Sequence, residues 1–219
     1  MTRILIADDH PLFRLALVQA VGHLGSDIEI VEADGLESAR TALVAEPGID
    51  LVLLDLHMPG CHGLMGLVAL RSEFPSVAVV MISANDDPQV MRRALTYGAA
   101  GFIPKRSSFS DIQAMLRAVI DCEAPLPLPL DDGADSAAEQ DQQLAARLAS
   151  LSPQQLRVLG LVAEGLLNKQ IADRLDIQER TVKAHMSAVF ERLDVRNRTQ
   201  ASVLLRSLEI ADPSRSVAD

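Results

Sequence analysis

Aromatic residues are nearly missing from this chain: among 219 residues there is no Trp, one Tyr and five Phe, 3% in all. Proteins that hold single-stranded nucleic acid stack its bases on aromatic platforms, so that mode is excluded. Cysteine is equally scarce. Cys61 and Cys122 are too few for a disulfide framework or a four-cysteine zinc site, and they read as inert thiols in a reducing compartment. No apolar run approaches the length of a transmembrane helix, and the first residues lack the apolar core of a signal peptide. The expectation is a soluble, cytoplasmic protein with no membrane partner.

What the chain does have is apolar aliphatic residues, enough for a substantial core at 48% hydrophobic, and an acidic net charge of −10. The charge is unevenly spread. Residues 1–121 carry 9 Lys and Arg against 15 Asp and Glu, a balance of −6. Residues 122–150 carry 1 against 6, a balance of −5, and residues 151–219 carry 10 against 9, a balance of +1. Local charge governs phosphate contact more than the total does, so only the last segment suits a polyanion.

The first 121 residues repeat a strand-then-helix rhythm five times. Apolar strands are expected from Ile4, Ile28, Leu51, Val77 and Gly101, at intervals that fit a strand plus a crossover helix. Helical stripes lie between them, one through Phe13, Ala16, Leu17, Ala20, Val21 and Leu24. Another runs through Ile112, Leu116, Val119 and Ile120, with Ser110 and Gln113 as an expected capping box. This alternation predicts a parallel sheet covered by helices on both faces. Residues 122–150 contain APLPLPL and an acidic, apolar-poor stretch, as a solvated linker does, with Leu144, Leu148 and Leu151 able to add two helical turns. The proline run also suits a partner's docking groove, but a linker is the plainer reading.

From Leu151 the pattern is all-helical. Ser152, Pro153 and Gln155 open one helix, Gly165 stops it, Asn168 is the expected cap of the next, and Thr199 that of the last. Within this segment Ile171, Ala172 and Leu175 form one short apolar stripe, and Val182, Met186, Val189, Phe190 and Leu193 a second. The second stripe leaves Arg180, Lys183, Ala184 and Ser187 on the opposite face, small and basic enough to enter a major groove. The pattern alone fits an ordinary helical hairpin with solvated charges equally well.

The strand ends break that tie. Asp8 and Asp9 follow the first strand, Asp55 the third, Ser83 ends the fourth, and Lys105 follows the fifth. In a parallel sheet these positions converge on one edge. Three clustered carboxylates repel one another unless a hard divalent cation such as Mg²⁺ joins them. Asp55 can then act as nucleophile toward phosphorus, with Lys105 and the Ser83 hydroxyl holding phosphoryl oxygens. A lone Asp after a strand is ordinarily a turn residue; the set of five is not so easily dismissed.

The segments ILIADDH, LVLLDLHMPGCHG, MISAND and GAAGFIPK resemble the receiver domain of bacterial two-component response regulators. The stretch from LSPQQLRVLGLVAEG through KQIADRLDIQERTVKAHMSAVFERLDVRNRTQA resembles the LuxR-type helix-turn-helix. Together, in this order, they are similar to NarL/FixJ-type regulators over nearly the whole chain. The resemblance implies a flavodoxin-like α/β receiver with a five-stranded parallel sheet over 1–121, a linker over 122–150, and an all-α DNA-binding domain over 151–219. It implies Asp55 as phosphoacceptor, Asp8, Asp9, Asp55 and the His57 carbonyl as Mg²⁺ ligands, and Ser83, Phe102 and Lys105 as the switch. DNA contacts are expected from Asn168, Lys169, Arg180, Thr181, Lys183, Ala184, Ser187, Arg196 and Arg198. A sensor histidine kinase is the implied phosphodonor, RNA polymerase and DNA are implied partners, and a homodimer is implied on activation or on DNA.

Departures limit what transfers. His57 is an unusual occupant two residues after the phosphoacceptor; it either alters phosphate lifetime or simply faces solvent, the second being the plainer expectation. Gln178 stands where a capping Ser is usual, and this poor cap costs the helix start about 1 kcal/mol. Ala184 and Ser187 occupy base-reading positions, so the target sequence cannot be borrowed from relatives. An enzyme working through an aspartyl phosphate, such as a phosphatase, needs a second acid where His57 stands and a substrate-cap insertion; the chain has neither. A receiver that only dimerises, without phosphorylation, has no use for the acidic set and Lys105.

Overall fold

The computed structural model describes residues 1–61, 63–121 and 136–210. They fall into two compact units, one from the described parts of 1–134 and 210–219, the other from those of 135–209. The proline run and Cys122 lie outside the described residues.

In the first unit the strands are β1 (Thr2–Ala7), β2 (Ile28–Ala33), β3 (Leu51–Asp55), β4 (Ala78–Ser83) and β5 (Gly101–Pro104). All pairs are parallel and the order is β2-β1-β3-β4-β5. The interleaved helices are α1 (Pro11–Gly22), α2 (Leu36–Ala45), α3 (Leu64–Glu73), α4 (Pro88–Thr96) and α5 (Phe109–Ile120). Burial follows position in the sheet. The central β3, LVLLD, is buried at every residue, whereas the edge strand β2, IEIVEA, is buried only at its last. A strand covered on both faces must be apolar throughout; an edge strand need not be.

Strand alternation divides the core. Ile4, Ile6, Leu51, Leu53, Val80 and Ile82 pack with Leu17 and Val21 of α1 and Ile112 and Leu116 of α5. The intervening Leu5, Val52, Leu54 and Met81 are as fully buried, as period-two geometry requires of residues facing the other helical layer. That layer approaches closely at Gly66 of α3, where a Cβ would stand 2.2 Å from the Cys61 sulfur. A larger residue there requires the Cys61 sulfur to move. α5 starts two residues earlier than expected: Ser108, not Ser110, is the cap and accepts from the Asp111 N–H at 3.2 Å.

The second unit holds α6 (Ser136–Ala149), α7 (Pro153–Ala163), α8 (Asn168–Leu175), α9 (Glu179–Leu193) and α10 (Arg198–Arg206). α6 is longer than the two turns expected of the connecting segment. It is held by fully buried Leu148 and by Arg147, whose Nη1 donates to the Leu193 carbonyl at 3.1 Å. The Ser152–Gln155 capping box opens α7 as read from sequence, and Gly165 follows it at φ +86°, a conformation that favours glycine. Two expected caps are displaced. Leu167 precedes α8, and Gln170 Oε1 takes its N–H at 2.8 Å, so Asn168 is the first helical residue. Asn197 caps α10 through the Gln200 N–H at 2.9 Å, leaving Thr199 inside the helix. At α10 the Asn197 side chain reaches a free N–H, whereas at α8 Leu167 caps with no side-chain bond and Gln170 closes the turn from inside the helix. Val158, Val162, Ile171, Ala172, Val182 and Met186 form the core between α7, α8 and α9.

Candidate functional site

Because β1 has β2 on one side and β3 on the other, the chain reverses direction across the sheet between β1 and β3. Ligands of such sheets bind at the carboxyl ends flanking that reversal. Asp8 follows β1 and Asp55 ends β3, so both carboxylates are placed there by strand register, not by loop conformation. Both are buried, at 0% and 1% exposure. Lys105, just beyond β5, reaches back to place its Nζ 2.8 Å from Asp8 Oδ2 and 3.1 Å from Asp55 Oδ2. The ammonium also lies 4.9 Å from the centre of the Phe13 ring, a favourable cation–aromatic contact in a partly desolvated place.

This one cation does not satisfy the acids. Asp55 Oδ1 is buried without a hydrogen-bond partner among the described residues, and the buried Asp9 Oδ1 has only the His10 imidazole, at 2.8 Å, beside it among those residues. Burial pushes the Asp55 carboxyl above its ordinary value, Lys105 pulls it back, and Asp8 raises it again. A charged carboxylate left in this state is costly. Asp8, Asp9, His10 and Asp55 each offer a ligand atom, all within 4.8 Å of one another, so the pocket can hold a metal ion. A cavity of about 300 Å³ opens over the group, lined by His10, Leu12, Phe13, Asp55, His57, Ala84 and Lys105. It leaves room for a phosphoryl-sized group beside Asp55.

The other expected receiver residues are placed as follows. Ser83 ends β4 fully buried, its Oγ accepting from the Asn85 N–H at 3.0 Å. Phe102 sits on β5, paired in register with Met81, and is half-buried. His57 does not face open solvent: it is half-buried, with Nε2 2.9 Å from the carbonyl of Ile210, which belongs to the same compact unit. Cys61 lies buried nearby, and burial together with the Asp55 charge pushes its thiol up to about 12. His10 was not singled out by the sequence reading, although it directly follows the acidic pair.

In the helical unit, Arg180, Lys183, Ala184 and Ser187 are exposed on α9, and Thr181 is half-buried. Lys183 Nζ is 2.9 Å from Glu179 Oε1, one turn earlier, and this pairing holds the Glu179 carboxyl below its usual range. Gln178 precedes α9 with no side-chain capping bond. Lys169 and Arg196 are exposed. Arg198 is turned inward instead: its guanidinium donates to the Leu166 carbonyl and lies 3.5 Å from Asn168 Oδ1, tying α10 to the connection before α8.

Residues 4–117 match the family of the response regulator receiver domain, and residues 149–205 match the luxR family of bacterial regulatory proteins. The chain belongs to the NarL/FixJ-type response regulators. The glycerol metabolism activator of Pseudomonas putida is 44% identical to this regulator over 208 residues, covering 92% of this chain and 93% of that one. The nitrate/nitrite response regulator protein NarL of Escherichia coli K12 is 32% identical over 203 residues, covering 91% and 93%. The structure of RcsB from Salmonella enterica serovar Typhimurium, bound to a promoter with a phosphomimetic, shares the fold at a TM-score of 0.53 and 20% identity, covering 95% and 100%. The regulator is therefore a receiver joined to a LuxR-type DNA-binding domain, in a family of transcription regulators and not of enzymes. Among its described residues no helix is long and apolar enough to cross a membrane.

Proposed function

We propose that the regulator takes a phosphoryl group from a sensor histidine kinase onto Asp55, in the cytoplasm, and converts that event into altered binding of specific DNA. The carrying observation is Asp55 itself, 1% exposed, ending the central strand with Lys105 Nζ 3.1 Å away and one oxygen unpartnered. Transfer forms an Asp55 Oδ–P bond as the P–N bond of the kinase phosphohistidine breaks and the imidazole leaves. Asp55 must be ionised to attack, and Lys105 favours that form. Asp8, Asp9, Asp55 and the His57 carbonyl would hold Mg²⁺; the hard, partly unsatisfied oxygens suit that ion. Its chemistry is to neutralise charge between carboxylate and phosphoryl oxygens.

The phosphoryl group adds roughly −1.5 to −2 charges. Lys105 leaves its contact with Asp8 to meet it, the Ser83 hydroxyl exchanges the Asn85 N–H for a phosphoryl oxygen, and Phe102 turns inward. This shifts an existing two-state equilibrium. The functional division is receiver 1–121, connecting segment 122–150 and DNA-binding domain 151–219. Lys183, Ala184 and Ser187 face base edges, while Asn168, Lys169, Arg180, Thr181 and Arg196 are placed for phosphates; Arg198 supports them from within. A homodimer on a two-fold site, contacting RNA polymerase, completes the reading.

The test is phosphorylation by a small-molecule phosphodonor with Mg²⁺, followed by labelled phosphate uptake. Asp55→Asn should take up none, and Asp9→Ala should react slowly. Uptake by Asp55→Asn at the wild-type rate overturns the assignment.

A further inference from the structure

We propose that His10 supplies a nitrogen ligand to the carboxylate pocket, so that the site takes a borderline transition-metal ion such as Ni²⁺ or Co²⁺ more tightly than Mg²⁺. The inference rests on the metal-holding role given above to Asp8, Asp9 and Asp55. His10 Nδ1 lies 2.8 Å from Asp9 Oδ1, 3.3 Å from Asp8 Oδ1 and 3.9 Å from Asp55 Oδ2. Neighbouring ligands about 2.1 Å from one octahedral ion stand about 3.0 Å apart, and opposite ligands about 4.2 Å apart. The two shorter distances match adjacent positions, and the longest approaches an opposite one.

The ring is held in this place by the backbone. The His10 N–H donates to Asp8 Oδ1 at 2.8 Å, and His10 is the cap residue of α1 with Pro11 fixing the next φ. Its side chain makes no capping bond, so the helix does not use the imidazole. Asp55 Oδ1 is buried and unpartnered among the described residues, and Asp55 and His10 both line the same cavity. Lys105 neutralises Asp8 Oδ2 and shares Asp55 Oδ2, and leaves Asp8 Oδ1, Asp9 Oδ1 and Asp55 Oδ1 to another cation. Carboxylates alone suit Mg²⁺, whereas an added neutral imidazole favours later first-row ions.

The alternative is that His10 is only a counter-ion, its ring being 57% exposed. A protonated imidazole competes with a metal, so the two roles predict opposite results. Ni²⁺ and Mg²⁺ are titrated separately into the tag-free, full-length protein by calorimetry. His10→Ala should weaken Ni²⁺ at least about tenfold, the lower end of what losing even an outer partner of a metal site costs, while Mg²⁺ shifts much less. Asp9→Ala should weaken both ions, and His23→Ala, far from the pocket, neither. Unchanged or tighter Ni²⁺ binding in His10→Ala overturns the proposal, as does loss of Ni²⁺ preference in His57→Ala instead. If Asp9→Ala leaves both ions unaffected, the metal-holding role itself fails. Pulsed electron paramagnetic resonance of Mn²⁺ on the unaltered protein should show imidazole nitrogen coupling that disappears in His10→Gln; coupling that persists there overturns the proposal without relying on the alanine variant.

Discussion

The receiver pocket and the exposed face of α9 are built on opposite terms. Asp8, Asp55 and Ser83 are buried and set at strand ends, so the sheet register fixes them before any ligand arrives. Lys183, Ala184 and Ser187 are exposed, and Lys183 pairs with Glu179 one turn away. The first arrangement stores electrostatic stress in a rigid frame, which is what a switch needs. The second leaves long side chains solvated until a partner fixes them, so a surface ion pair of small energy is all that must be given up.

The largest break in this comparison is expected from Asp55→Asn. Because burial raises the Asp55 value in the folded state, this group's favourable contribution is full below the unfolded carboxylate value and is lost as pH rises through the folded value. Without divalent metal, the wild-type receiver should therefore lose stability over that rise. Asp55→Asn should be more stable above it, with the pH dependence from this group gone. Denaturant unfolding across a pH series checks this, and a variant destabilised at neutral pH would contradict it.

On the helical side, Lys183→Ala should cost about 1–3 kcal/mol on the specific site and relax preference at one base position. Arg196→Ala should weaken binding to all sequences alike and lower the salt slope by about 1. Binding isotherms on specific and random duplexes at several salt concentrations separate the two. Equal losses on both duplexes for Lys183→Ala would remove α9 from the base-reading role. Arg198→Ala probes stability instead, since it strips a charged donor from the Leu166 carbonyl. It should destabilise the helical unit by about 1–3 kcal/mol, seen as an earlier unfolding transition without DNA. The smallest effect belongs to Gln178→Ser, which should stabilise the start of α9 by about 1 kcal/mol or less, measurable as a shift of that same transition.

Strand placement was legible because β1, β3 and β4 are apolar runs that end on polar residues with chemistry, Asp8, Asp55 and Ser83. The α9 stripe was legible for the same reason: Val182, Met186, Val189 and Leu193 are all buried. Caps were less so. Ser108 against Ser110, Leu167 against Asn168 and Asn197 against Thr199 differ by one or two residues, and propensity alone does not say which side chain reaches a free N–H. The full length of α6 was not legible beyond the two turns marked by Leu144, Leu148 and Leu151, because of these only Leu148 and Leu151 are buried. Arg198 reads as a DNA contact in the sequence because charge does not reveal direction; the carbonyls around it do. His10 was overlooked because its proximity to Asp9 depends on the turn into α1, which no spacing encodes.

The tight seat of Cys61 against Gly66 gives the receiver a built-in clock. A sulfur this enclosed, with its thiol pushed up to about 12, holds almost no thiolate at neutral pH and presents little surface to an alkylating reagent. Modification must wait for α3 to lift from the loop, so its rate counts those openings. In a Cys122→Ser background, iodoacetamide labelling should be far slower than in urea, and phosphorylation at Asp55 should alter the rate to the extent that it changes how often that layer opens.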